Sequence, residues 1–321
     1  MQYRGPDAGG CTSLLVGCYR LHFEVIDPLV VQDFLGSQLR GAFGPALKRA
    51  VCVLPEHPEC ATCPKRRGCP YPWFFEDIGA TLEVEARHHA PPRPFIIGPD
   101  VSEGFLPPGA VLGMNLTLIG WANEVLPFVL NAWQEAGRRG LGPRRARLLL
   151  REVLQQDPQR DGRLRRIDAS DGSLHPLVPK PLRAPPAAPK VRLVLITPLH
   201  LKRDGHLVRE GQFRFADLHQ NLVKRRELLQ YFYGAAKGSL QAEAAEAIPD
   251  PVIEGRLYWR DWTRWSNRQG TRMKFGGLMG HLVLDGALLG SRWEELWLGQ
   301  FLHAGNETSF GLGRYVLLPA Y

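Results

Sequence analysis

Three clusters in this sequence have residue types and spacings that could do chemistry. The first is a run of thiols. Cys52, Cys60, Cys63 and Cys69 fall within 18 residues, and Cys60 and Cys63 form a C-x-x-C pair. Four thiolates in a loop broken by proline and glycine can close a tetrahedral zinc site, and His57 could replace one of them. With four protein ligands the metal has no open position, so the zinc would be structural and would stabilise an excursion with little core of its own. The same spacing also suits an iron–sulfur cluster, or thiols that are merely buried. The second cluster is Glu254 to Lys274. If 254–264 is extended, Arg256, Tyr258, Arg260, Trp262 and Arg264 share one face. Guanidinium groups pair with phosphates and aromatic faces stack on unpaired bases, so that face suits nucleic acid, and Asn267, Arg268, Arg272 and Lys274 continue it. A solvated strand face is the plainer alternative. The third cluster is the loop 303–315. It holds Gly305, Gly311 and Gly313, the hydroxyls of Thr308 and Ser309, and Arg314. Such a loop can turn backbone N–H groups toward an anion, or can simply cap a helix and turn the chain.

For proton transfer the choice is narrow. The sequence has no G-x-S-x-G, Walker, H-E-x-x-H or paired-carboxylate motif. Acid–base chemistry near neutral pH then falls to histidine. His22, His200, His281 and His303 are the candidates, and His303 stands out because it adjoins the glycine-rich loop.

Composition narrows the partner. The chain has 321 residues and a formal charge of +8, which favours a polyanion, nucleic acid before an anionic membrane. Apolar residues make up 44% and charged residues 22%, as in ordinary soluble domains. No apolar run approaches the ~18 residues of a membrane span. The first residues lack the apolar core of a signal peptide, so a cytoplasmic location is expected, with the cysteines reduced or metal-bound.

The elements that must position these groups follow from periodicity. Strands are expected at 13–26, 73–75, 93–97, 110–120 and 146–153. Helices are expected from Val31 to about Val53, with Arg40, Lys48 and Arg49 on its polar side, and at 122–138. Pro45 should kink or restart the first helix. The proline-rich basic stretch 156–190 reads as a linker. Beyond it come strands at 191–196, 252–262, 277–284 and 315–318, and helices at 215–232 and 291–302. Ignoring the insertions, the order β-α-β-β-α-β occurs twice. That predicts an α+β protein of two tandem ferredoxin-like domains, 1–155 with a cysteine-rich insertion at 52–69, and 191–321.

Leu39-Arg-Gly-Ala-Phe-Gly44, Cys60-x-x-Cys63 leading to Cys69-Pro-Tyr, Ser266-Asn-Arg-Gln and Thr308-Ser-Phe-Gly-Leu-Gly-Arg-Tyr315 together resemble the CRISPR-associated endoribonucleases of the RAMP superfamily that process repeat RNA. The resemblance spans most of the chain, and the linker is the least similar part. It implies two ferredoxin-like domains that bind the repeat hairpin of precursor CRISPR RNA and cut at its base. The cut it implies needs no metal: the ribose 2′-OH attacks the adjacent phosphate and leaves a 2′,3′-cyclic phosphate. The product would stay bound in an effector complex with other CRISPR-associated subunits. On that reading Arg40 and Lys48 would sit against the scissile phosphate, with His303 the best remaining proton-transfer group. Arg49, the 256–274 hairpin and Gly305 to Arg314 would hold RNA. Two positions depart from the family pattern: Pro45 stands where many relatives carry a histidine, and Asn306 where the loop often has a lysine. These departures leave room for two alternatives, a non-catalytic RNA-binding subunit of the same superfamily, and a zinc-containing DNA-binding or scaffolding protein.

Overall fold

In the computed structural model, residues 14–31, 34–57, 59–76, 91–101, 104–157, 162–234, 250–266 and 271–320 are described, with side chains except at 263–266 and 271–275. The first half runs β1 (Val16–Val25), β2 (Leu29–Val31), α1 (Leu35–Val51), α2 (Pro70–Phe75), β3 (Phe95–Pro99), β4 (Gly104–Leu106), β5 (Val111–Ile119), α3 (Leu126–Arg139), β6 (Leu148–Gln156) and β7 (Leu164–Arg166). The second runs β8 (Lys190–Leu199), β9 (Lys202–Arg203), β10 (His206–Leu207), α4 (Phe215–Tyr233), β11 (Val252–Ser266), β12 (Thr271–Asp285), α5 (Gly286–Leu289), α6 (Arg292–Leu302) and β13 (Tyr315–Pro319).

Both halves build the same sheet. The first has strand order β3-β5-β1-β6 with β7 added at the edge, and the second β11-β12-β8-β13. Counted within each half, both read 2-3-1-4, and the described pairings within them are antiparallel. This is the ferredoxin-like arrangement, in which each βαβ crossing skips one strand position and leaves every neighbour antiparallel. The chain divides into two compact units, 1–181 with 228–239, and 182–227 with 240–321. Within the stretch 156–190, Ile167 is 1% exposed, and Gln155 exchanges two hydrogen bonds with the backbone of Leu177.

One ring ties the first unit together. Phe43 of α1 stacks face to face on Trp133 of α3, 4.7 Å between centroids, and meets Phe95 of β3 edge-on at 5.5 Å. Removing so deeply buried a ring costs about 3–5 kcal/mol. The second core joins Leu193, Leu195, Leu282 and Leu284 of the sheet to Leu218 and Leu222 of α4 and Leu296 of α6.

Three local expectations differ from the structure. The first helix begins at Leu35, because residues 29–31 pair instead with Leu106 to Gly104. Pro45 does not restart α1, which runs through it from Leu35 to Val51. The ring lies on the exposed side, and the carbonyl it deprives of a partner is that of Gly41, also exposed and free to meet water. Residues 73–75 form a short helix rather than a strand; Pro70 at its first position suits a helix N-terminus, where a missing N–H is no loss.

Candidate nucleic-acid interface

Helix α1 carries the first pair of candidate residues. Arg40, Gly44 and Lys48 are four residues apart and so line one face. That face meets α2. The Arg40 guanidinium carbon lies 5.1 Å from the centroid of the Phe75 ring, and Lys48 Nζ lies 5.6 Å from that of Tyr71. The two rings stack, 5.5 Å apart with 18° between their planes. Gly44 makes room for Phe75, because a Cβ there would stand 3.0 Å from Phe75 Cε1. Both cations are half-buried, whereas Arg49 is exposed. Burial, above all, pushes the Tyr71 phenol up to about 12 and keeps the ring neutral.

The excursion between α1 and α2 carries the thiols. Cys52, Cys60, Cys63 and Cys69 are all free and half-buried. Burial pushes up both Cys60 and Cys69. Cys69 is raised further by neighbouring Cys52, Cys60 and Cys63, so the four share one neighbourhood. Lys48 opposes the rise at Cys60, both by its charge and by a hydrogen bond to the thiol. Among the described residues, however, no three His, Cys, Asp or Glu side chains converge as the ligands of a metal would. As placed, the thiols do not form a closed tetrahedral site.

The glycine-rich loop turns inward. His303 caps α6 with φ +57°, is 5% exposed, and donates from Nδ1 to the Leu312 carbonyl at 3.0 Å. Burial pushes its pKa down to about 3, and the charges of Arg314 and Arg225 act in the same direction. Buried and bonded to Leu312, the ring has the placement of a structural histidine. The amides that were expected to meet a phosphate are largely engaged within the protein. Those of Ala304, Asn306, Phe310, Gly311 and Gly313 donate to backbone carbonyls, Gly305 to Asn221 Oδ1, and Arg314 to Thr197 Oγ1. Gly313 is required by close approach as well as by conformation: its φ is +69°, and a Cβ would stand 1.7 Å from the Ala304 carbonyl oxygen. Ser309 is buried. Asn306 is exposed and Arg314 half-exposed, so these two are the loop's outward-facing members among the candidates.

The β11 face matches its expected alternation. Leu257 and Trp259 pack on the second core, while Arg256, Tyr258 and Arg260 are exposed. The Arg260 guanidinium carbon lies 5.6 Å from the Trp262 ring centroid. His281 of β12 stands in register with Arg256 and is half-exposed. Arg264, Arg272 and Lys274 lie on the paired backbone of the hairpin, outside the described side chains, and Asn267 and Arg268 lie outside the described residues. The remaining histidines are engaged elsewhere. His22 Nδ1 is 2.9 Å from Glu152 Oε2 and its Nε2 accepts from Arg20, while His200 donates to the Gly276 carbonyl.

The arrangement is two cationic surfaces on two ferredoxin-like units, and comparison with known proteins gives them a family. The AF_1859_N N-terminal domain family matches residues 14–177, and the CRISPR-associated endoribonuclease Cas6 family matches residues 193–315. The chain carries a Cas6-type domain. The search of curated proteins finds no match. Among solved structures, a Cas6 product complex superposes with a TM-score of 0.53 at 18% identity, covering 95% of this chain and 99% of the other. A partial Cas6-RT-Cas1–Cas2 complex gives 0.50 at 12% identity, covering 96% of this chain and 46% of that one. A Cas6-related protein from Pyrococcus furiosus gives 0.48 at 9% identity over 95% of this chain and 100% of the other. At these identities the likeness is one of fold. Sequence reasoning about this candidate interface missed Tyr71 and Phe75. The signal was present in Pro70-Tyr-Pro-Trp-Phe-Phe75, where a proline at the first helical position and aromatics four apart mark a short helix with a ringed face.

Proposed function

We propose that this Cas6-type chain binds the repeat hairpin of precursor CRISPR RNA and cuts it by attack of a ribose 2′-OH on the neighbouring phosphate, without a metal in the reaction. The observation that carries this reading is the placement of Arg40 and Lys48 together on one face of α1, each over an aromatic ring. Arg40 would brace the phosphorane, as guanidinium groups do with phosphate oxygens. Lys48, as an ammonium, would stabilise the same charge and could give a proton to the departing 5′ oxygen. Arg49, Asn306, Arg314 and the outer face of β11 would track the RNA backbone, with Tyr258 available to stack on an unpaired base. His303 enters this proposal as the plug that shapes the loop.

Labelled repeat RNA incubated with the protein in EDTA tests the reading. Cutting to a 2′,3′-cyclic phosphate is expected, and Lys48→Ala and Arg40→Ala should each slow it about 10²- to 10³-fold. RNA bound tightly but left intact would favour a second reading, the non-catalytic RNA-binding subunit. That reading draws on Pro45, which can move no proton, and on the burial of His303.

The partners we infer are the repeat RNA and other CRISPR-associated subunits, in the reducing setting of the cytoplasm. The proteins similar in fold include one in a product complex and one joined to Cas1–Cas2. A structural zinc on Cys52, Cys60, Cys63 and Cys69 is supported by their spacing and by their mutual repulsion, which a cation would relieve, and not by their convergence. One equivalent of zinc in the purified protein, lost in Cys60→Ser with Cys63→Ser, is the expected result; metal-free protein of unchanged melting temperature would remove zinc from the proposal.

A further inference from the structure

We infer that Tyr71 and Phe75 are positioning residues for the cut, an aromatic shelf brought by the cysteine-rich excursion that aims Lys48 and Arg40 at the phosphate. This rests on the proposed cleavage reaction. Long cationic side chains lose rotamer freedom when held still. Something must offset that loss if they are to meet a phosphorane ready-placed. A carboxylate could do so only by neutralising the charge that the reaction needs. An aromatic face holds a cation and leaves its charge intact, at about 0.5–2 kcal/mol per contact.

The geometry fits that device at both residues. Lys48 Nζ lies 5.6 Å from the Tyr71 ring and Arg40 lies 5.1 Å from Phe75, and the two rings stack into one surface. The shelf is itself anchored, because Phe75 packs on Phe43 at 5.6 Å. Gly44, between the two cations on the helix face, leaves room for the Phe75 ring. The excursion thus has a task beyond its own thiols: it ends in the helix that carries the shelf.

Single-turnover cleavage, RNA affinity and melting temperature are measured for the unsubstituted protein, Tyr71→Phe, Tyr71→Leu, Lys48→Ala and the double variant Tyr71→Leu/Lys48→Ala. Leucine fills the space without a π face, whereas phenylalanine keeps the face and drops the hydroxyl. Tyr71→Phe should cut within about twofold of the unsubstituted rate, and Tyr71→Leu about 2- to 30-fold more slowly at nearly unchanged affinity. In the Lys48→Ala background, Tyr71→Leu should cost nothing further, which a general loss of folding would not reproduce. Equal slowing in both backgrounds, full activity in Tyr71→Leu, or a Tyr71→Phe as slow as Tyr71→Leu would each overturn the shelf. An unsubstituted protein that never cuts would overturn the parent reading, and this one with it.

Discussion

His303 shows how position in the fold decides what a residue can do. Its neighbours in sequence, three glycines and an arginine, suggested a phosphate site. Its neighbours in space are the Leu312 carbonyl and a closed core. A folded-state pKa of about 3 against an ordinary 6.5 means the unfolded chain binds the extra proton between those values. Stability from this group is therefore complete above pH 6.5 and lost as pH falls toward 3. His303→Gln should flatten the fall in melting temperature between about pH 6.5 and 4.5, by the linkage of one proton. The same variant should leave the pH profile of cleavage unchanged. A cleavage profile that loses a limb in His303→Gln would restore the residue to proton transfer. Nothing in the local sequence distinguishes a loop turned outward from one turned in; the bonds that decide it run to Thr197, Pro198, His200 and Asn221, far away in the chain.

Elements were more legible than residues. The strands of both sheets announce themselves by alternation, as in Arg20, His22 and Glu24 of β1 or Leu257 and Trp259 of β11, because the pleat repeats every two residues. Helix α3 announces itself by Val129, Leu130 and Trp133, all buried. The failures lie where an element depends on a distant partner. Residues 29–31 pair with 104–106, which no helical or strand period in the first segment could reveal. Pro45 is the reverse case, a strong local signal overridden by context. An interior proline costs a helix about 3 kcal/mol relative to alanine, yet α1 continues because its packing on Trp133, Phe95 and α2 holds it. Pro45→Ala should raise unfolding free energy by about 1–3 kcal/mol in denaturant titration. Pro45→His should keep the helix and put an imidazole one turn before Lys48. If that helix face meets the phosphate, cleavage should quicken about 10- to 100-fold, with a new limb near pH 6.5. An unchanged rate and profile would place the scissile phosphate elsewhere.

At the scale of the molecule, the question is whether one RNA engages both ferredoxin-like units at once. The formal charge of +8 says only that a polyanion is welcome. Counterion release makes the question measurable, because each phosphate contact to single-stranded nucleic acid contributes about −0.7 to the slope of log K against log salt, and each to a duplex about −0.9. Arg40 and Lys48 belong to the first unit, and Arg256 and Arg260 to the second. Alanine at the first pair should lower the slope's magnitude by roughly 1.4–1.8, and alanine at the second pair by the same amount. If a single repeat RNA spans both, the four-fold variant should lose about twice that, with each pair contributing independently. If RNA rests on one unit alone, one pair will change the slope and the other will not, and the four-fold variant will match the effective pair. The slope is a better readout than affinity, because it counts phosphates neutralised and is indifferent to the stacking that Tyr258 would add. A slope unmoved by either pair would remove both surfaces from RNA binding.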